Sequence, residues 1–339
     1  MKRTLIFIVF IVFAVTLSAQ VADDYRSAAN NGDAEAQFEL AKCYENGYGV
    51  AQDINQAIVW YTKAANQGDA QAQMQLGQIY FYAYQGAPRD YSKSVYWYTK
   101  AAEQGWPTAQ GMLGEIYYFG YGDLQDFNKA VLWLSKAATY QKYESAEFVQ
   151  RARFLLANCY LYGFGVDKNQ QRAVYLYRKA AENNYSPAQF VLGQCYYLGE
   201  GVDEDNSQAL FWFRKAAASD YAKAQTALGD CYRRGDGVAQ DYAIAFKWYE
   251  KAANQGDAEA QYELGRCYYY EKGVEKDFAK AAYWFRKAAD QNHAAAQYCL
   301  AFCYNDGEGV EQDNDKAFYW MKKAAENGDE DAKEALGIK

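Results

Sequence analysis

The sequence predicts an all-α solenoid of about eight helix-turn-helix repeats, each 36 residues long, with a half-repeat cap at either end. Three observations predict it. Trp60, Trp97, Trp133, Trp212, Trp248, Trp284 and Trp320 recur at steps of 36 residues, apart from one step of 37 and one long gap after Trp133. That gap holds a further unit, with Leu176 in the tryptophan place. Lys-Ala-Ala recurs in register at residues 63–65, 100–102, 136–138, 179–181, 215–217, 251–253, 287–289 and 323–325. Only 3 of the 339 residues are proline, which suits uninterrupted helix. A two-helix unit of this size cannot bury its own apolar face, so neighbouring units must stack.

Residues 1–19 read as an export signal. Lys2 and Arg3 form a positive start, and Leu5 to Leu17 are almost wholly apolar. That run is shorter than the roughly 20 residues needed to span a bilayer. Ser18 and Ala19 are small, as a cleavage site requires, but Leu17 at the third place back is not, and an uncleaved anchor is the alternative. No later stretch is long and apolar enough to span. The expected location is secreted or periplasmic.

Residues 20–32 read as a capping helix, with Ser27-Ala28-Ala29 in the Lys-Ala-Ala place. Residues 33–328 hold the eight repeats, and 329–339 read as a charged closing helix. In the first repeat, AEAQFELAKCY places Ala36, Leu40, Cys43 and Tyr44 on one helix face. Gly47 and Gly49 make the turn. Asp53 caps the second helix, with Gln56 in a capping-box position. Asp126, Asp205, Asp241, Asp277 and Asp313 repeat the cap, and Ala57, Trp60 and Ala64 share the buried stripe. Small residues such as Ala64 let neighbouring helices approach. The second helix ends where Gly68, Gly105, Asn184, Asp220, Gly256, Asn292 and Gly328 stand, residue types that tolerate a positive φ. The repeat after Trp133 is seven residues longer than the others, and the extra residues fall around Tyr140–Gln150. Glu271 replaces the first turn glycine in the seventh repeat.

The segment AQTALGDCYRRGDGVAQDYAIAFKWYEKAANQG at 224–256 shows the whole repeat pattern. It resembles the Sel-one-like repeat family, a relative of the tetratricopeptide repeats, and the resemblance covers nearly everything after the signal. It implies a right-handed α-α superhelical solenoid whose first helices line a concave surface. It also implies an adaptor role in multi-protein assemblies.

The net charge of −8 disfavours nucleic acid, which needs clustered Lys and Arg, and disfavours adhesion to anionic lipid. Cys43, Cys159, Cys195, Cys231, Cys267 and Cys303 share one slot that Ile79 and Ile116 also fill, so they read as buried free thiols. Equivalent helices should lie about 8–10 Å apart, beyond the ~7 Å Cα limit of a disulfide. Cys299 is the odd thiol, and a strained bridge to Cys303 is the alternative. No Cys-x-x-Cys pair and a single histidine, His293, argue against a metal site. His293 reads as an exposed turn residue. Gly-x-Gly turns follow helices rather than strands, which rejects dinucleotide binding. No catalytic, cofactor or metal-binding residue is expected, and no enzyme activity.

The tyrosines at 44, 80, 117, 160, 196, 232, 268 and 304 read as core. The two positions after each vary. By resemblance to tetratricopeptide repeats, Phe81, Tyr82, Tyr118, Phe119, Tyr162, Tyr197, Arg233, Arg234, Tyr269 and Tyr270 face the groove, as do Phe154, Phe190 and Tyr262 earlier on their helices. Padding between repeats is the competing role for these rings. The expected ligand is a protein or peptide segment. Glycan or cell-wall binding by the same groove is the alternative, and an envelope hydrolase ranks below both. The sequence names neither the partner nor the oligomeric state.

Overall fold

A computed structural model describes residues 22–140 and 145–338. The expected export signal lies outside the described residues, as does the middle of the expected insertion, 141–144. Among the described residues the chain is helical and contains no strand. It divides into two compact units, Met1–Lys168 and Asn169–Lys339.

In the N-terminal unit a helix over 22–30 (α1) precedes α2 (Ala34–Asn46), α3 (Ile54–Asn66), α4 (Ala70–Tyr82), α5 (Tyr91–Glu103), α6 (Pro107–Phe119), α7 (Phe127–Ala138) and α8 (Glu147–Tyr162). The C-terminal unit holds α9 (Gln170–Glu182), α10 (Ser186–Leu198), α11 (Asn206–Ala218), α12 (Ala222–Arg234), α13 (Tyr242–Asn254), α14 (Ala258–Tyr270), α15 (Phe278–Ala289), α16 (Ala294–Asp306), α17 (Asn314–Glu326) and α18 (Glu330–Ala335). Even-numbered helices are the first of each repeat and odd-numbered ones the second. Within each unit, every helix packs on the next. The expected all-α solenoid of helix-turn-helix repeats is the architecture found.

The turns follow from local chemistry. Asp53 accepts hydrogen bonds from the N–H groups of Asn55 and Gln56, and the equivalent residues from Asp90 to Asp313 cap their helices likewise. The reciprocal half of a capping box is not made. The Asp53 N–H donates instead to the Tyr44 carbonyl at 2.9 Å, and this bond recurs from Asp126 to Tyr117 and from Asp241 to Tyr232. It closes the turn and fixes each repeat tyrosine above a cap. Each expected positive-φ position is left-handed, from Gly68 to Asn184, Asp220 and Asn292. Glu271 and Ala83 also take φ 55, so the turn imposes this conformation even without glycine. The insertion shows itself partly in α8, which has 16 residues where other first helices have 13.

Two packing devices hold the helices together. Leu40, Leu76, Leu113, Leu192, Leu228, Leu264 and Leu300 are essentially fully buried on the first helices. Beneath them lie rings from the position after the repeat tryptophan: Tyr61, Tyr98, Tyr177, Tyr249 and Phe285 are among the largest fully buried side chains. Glycine makes room for them. A Cβ on Gly77 would lie 2.5 Å from the Tyr98 ring, and one on Gly265 would lie 2.6 Å from the Phe285 ring. Close approach is therefore set by first-helix glycines as well as by second-helix alanines such as Ala64.

The second device is a buried glutamine. Gln37, Gln73, Gln110, Gln189, Gln225, Gln261 and Gln297 each donate to an alanine carbonyl at the end of the preceding second helix, at 3.0–3.4 Å. Arg153 fills the slot in α8 and donates to the Ala138 carbonyl at 3.0 Å. Each alanine carbonyl reached by a glutamine also accepts a backbone N–H from the following turn, as Ala65 does from Gly68 at 3.0 Å, so the side-chain amide uses its second acceptor site.

The thiols are free, and all but the half-buried Cys299 are buried. Burial pushes Cys159, Cys195, Cys231, Cys267 and Cys303 up to about 12. His293 corrects its expectation. It is half-buried, not an exposed turn residue, and it caps α16: Nδ1 accepts from the Ala296 N–H at 3.2 Å while Nε2 lies 3.0 Å from Glu259. Aspartates hold the same place at Asp33, Asp69, Asp257 and Asp329.

Candidate functional site: clefts on the first helices

The two residues after each repeat tyrosine have different fates. The nearer one turns toward the next repeat. Phe81 lies edge-on to Tyr121 at 5.3 Å and to Tyr91 at 5.5 Å. Tyr118 packs on Phe127, its hydroxyl accepts from Asn158, and Phe127 stacks on Phe164 at 4.7 Å. In the C-terminal unit the same position uses hydroxyls. Tyr197 donates to Asp236 at 3.1 Å, and Tyr269 donates to Glu308. Hydrogen bonding to Glu308, then burial, pushes the Tyr269 phenol well above its usual value. These side chains tie repeats together while keeping one edge accessible.

The farther residue stays outside. Tyr82, Phe119, Tyr162 and Tyr270 are exposed, and so are Leu198 and Arg234. Phe119 leans on Tyr121, and Tyr162 on Phe164. The third set is half-buried. Phe190 contacts Phe213 and Tyr221, Tyr262 stacks on His293 at 4.8 Å, and Phe154 sits on α8.

Three clefts gather most of these residues. In the N-terminal unit, a cleft of about 480 Å³ is lined by Phe81, Tyr82, Met112, Phe148 and Leu155, with the Glu115–Arg151 ion pair at its edge. Burial pushes Glu115 up, and the Arg151 guanidinium opposes it. Tyr118, Phe119, Phe154 and Tyr162 do not line it. In the C-terminal unit, a cleft of about 440 Å³ runs between α10 and α12. Phe190, Tyr197, Leu198, Phe213 and Ala227 form its apolar wall, and Asp230, Arg234, Asp257 and Glu259 its polar one. Next to it, a cleft of about 650 Å³ is lined by Arg233, Arg234, Tyr242, Arg266, Tyr270 and Lys272. Arg234 borders both and donates to the Tyr197 hydroxyl at 3.0 Å.

Arg233 and Arg234 are not equivalent. Arg233 is tied inward: it donates to Asp230 at 3.0 Å and to the Tyr249 hydroxyl at 3.1 Å, and it lies 3.8 Å from Glu263. Arg266 holds Glu263 at 2.8 Å. Burial raises the pKa of Glu263, and Arg266 and Arg233 oppose that rise. Arg234 is the exposed cation. The difference was hidden because Arg233 meets its carboxylates only through folding: Asp230 one helical turn back and Glu263 on the next first helix. Among the described residues no cluster of His, Cys, Asp and Glu is suited to a metal ion.

An array of two-helix units, joined by buried amides and at α8 by a guanidinium, with part of each first helix accessible, is an α-α repeat scaffold. The Sel1 repeat model matches residues 34–69, 70–106, 107–139, 150–185, 186–221, 222–257, 258–293 and 294–329. The chain belongs to the Sel1-repeat family, whose members generally act as scaffolds for protein–protein interaction. Two solved structures are similar over 93% of this chain. One is a protective antigen of uropathogenic Escherichia coli displaying an SLR fold, at 35% identity and a TM-score of 0.77. The other is a Sel1 repeat protein from Oxalobacter formigenes, at 33% identity and a TM-score of 0.75. The chain spans 66% of the first and 89% of the second. No curated protein matches it.

Proposed function

We propose that this chain is an exported scaffold that seats an extended segment of a protein partner on its first helices. The observation that carries the reading is the pair of clefts joined by Arg234. An apolar trough beside a basic one fits a peptide that alternates an apolar anchor with a carboxylate, which an arginine fork can receive. The trough is walled by side chains already fixed by packing and hydrogen bonds, so binding costs little ordering. Export rests on the charged start and apolar run of residues 1–19.

The test is affinity capture from the native cell envelope with the wild-type chain, Leu198→Asp and Arg234→Glu. Leu198 is 61% exposed, so its substitution spares the core. The wild type should retain a defined protein that both variants lose. Equal retention by all three would remove the clefts from the binding surface, and capture only from cytoplasmic extract would contradict export.

A further inference from the structure

The outer faces of the second helices carry a surface unlike the clefts. In the C-terminal unit Tyr175 on α9, Phe211 on α11, Tyr283 on α15 and Tyr319 on α17 occupy one helical position, just before the tryptophan slot, and each is about half exposed. Lys247 holds that position on α13. Phe211 and Tyr283 stand edge-on to Trp212 and Trp284 at 5.0 and 5.1 Å. Four residues further on comes the lysine of each Lys-Ala-Ala triplet. Lys179 lies 6.0 Å from the Tyr175 ring, Lys215 5.0 Å from Phe211, Lys251 4.4 Å from Trp248 and Lys287 5.7 Å from Tyr283. None of these four lysines forms an ion pair among the described residues, whereas Lys323 on α17 pairs with Glu326 at 3.0 Å.

Charge is sorted between the faces. The whole chain is at −8. Yet α9, α11, α13, α15 and α17 hold 13 Lys and Arg against 4 Asp and Glu, and α11 and α15 contain no acidic residue. The acid of the chain is concentrated in first helices and turns. The expectation that its balance disfavours anionic lipid therefore describes the average and not this face.

We infer that the outer face of the second helices in the C-terminal unit docks on the surface of an anionic phospholipid bilayer. Half-exposed aromatic rings beside lysine are the combination that sits at headgroup level, the rings in the interface and the ammonium groups among the phosphates. The pair recurs on α9, α11 and α15, with Lys251 against Trp248 on α13, and the clefts described above are lined by first-helix and turn residues apart from Phe213 and Tyr242. A discrete protein partner is gripped by a few central anchors in pockets, whereas a lipid surface rewards many equal contacts. Each lysine near such a surface strengthens binding about fivefold. Docking here is peripheral, because no helix among the described residues is long and apolar enough to cross a membrane.

The experiment is vesicle co-sedimentation of the full chain purified from its native host. Vesicles are either phosphatidylcholine alone or phosphatidylcholine with phosphatidylglycerol. The chain should sediment with the anionic vesicles, stay in solution with neutral ones, and be released by high salt. Reversing Lys179, Lys215, Lys251 and Lys287 together to Glu should weaken binding more than a hundredfold with an unchanged helical circular dichroism spectrum. If that variant unfolds, the same four changed to Gln, and separately Phe211→Ser with Tyr283→Ser, carry the test in the same direction. Equal binding to neutral vesicles, no binding to anionic ones, or full binding by folded variants would overturn the inference. Binding of soluble polyglutamate without vesicle binding would do so too, assigning the face to an acidic protein. These substitutions lie outside the clefts, so partner capture should be unaffected by them.

Discussion

Gln255 donates through Nε2 to the side-chain oxygen of Gln225 at 2.8 Å, thirty residues earlier in the chain. Gln225 in turn donates to the Ala217 carbonyl. Three successive helices, α11, α12 and α13, are thereby joined by two amides. The same relay runs from Gln67 to Gln37, Gln104 to Gln73, Gln291 to Gln261 and Asn327 to Gln297. The stack thus has a polar seam beside its apolar core, and it specifies register because each amide can reach only one neighbour.

The seam is broken at Gln189. The side-chain oxygen of Gln189 is buried without a partner, because Ser219 stands where Gln255 stands one repeat later and is too short to reach it. Ser219→Gln should supply the missing donor and stabilise the protein by about 1 kcal/mol. Removing an intact link should act the other way: Gln261→Leu should cost about 1 kcal/mol by taking one of two partners from the Ala253 carbonyl and from the Gln291 amide, which keep their bonds to Gly256. Chemical denaturation of both variants measures this.

Gly265 faces the buried Phe285 ring with no room for a methyl group. Gly265→Ala should overpack the interface between α14 and α15 and lower stability by about 1–3 kcal/mol, despite the higher helix propensity of alanine. A stabilised variant in thermal denaturation would mean that the glycine is not there for the ring.

The buried thiols make stability depend on alkaline pH. Their folded values stand near 12 against 9.0 for a free thiol. The neutral thiol is favoured in the folded state, so this contribution is complete below pH 9 and is lost as pH rises toward 12. Denaturation midpoints should fall across that window, and Cys231→Ala with Cys267→Ala should flatten the fall. At neutral pH the native chain should resist thiol reagents until unfolded.

Glu259 is held below its ordinary value of 4.5, first by its hydrogen bond to His293 and against the opposing effect of burial. A depressed carboxylate contributes stability above that value and loses it as pH falls through the lower folded one. His293→Ala should remove this part of the acid sensitivity and also cost about 1 kcal/mol through the lost cap. Urea midpoints between pH 3 and 6 check both effects. An unchanged acid limb would deny the pairing.

The repeat, its turns and its caps were legible because each rests on local chemistry. Asp53 and its counterparts cap whatever helix follows, and Asn184 and Asp220 adopt the left-handed conformation that their position demands. The thiols could be placed because Ile79 and Ile116 share their slot. What sequence reading missed depends on partners distant in the chain. Gln37 stood in the repeat pattern but gave no sign that its amide reaches Ala29 and Gln67. His293 looked like a turn residue because its cap and its carboxylate partner come from different helices. The candidate site was half legible. Tyr82, Leu198 and Arg234 stay exposed, as the variability at their position suggested. Their neighbours Phe81, Tyr197 and Arg233 are drawn into contacts between repeats by Tyr121, Asp236 and Glu263. The outer stripe of Tyr175, Phe211 and Tyr283 was not legible because Lys247 interrupts it and the tryptophan beside each ring carries the stronger repeat.

The most direct test of the scaffold reading is backbone hydrogen exchange of the chain with and without the partner captured from the envelope. The ends of α10 and α12 and the turns after them, residues 194–202 and 227–238, should gain protection on binding. Protection confined to the second helices, or no change at either turn, would contradict a partner seated on the first helices.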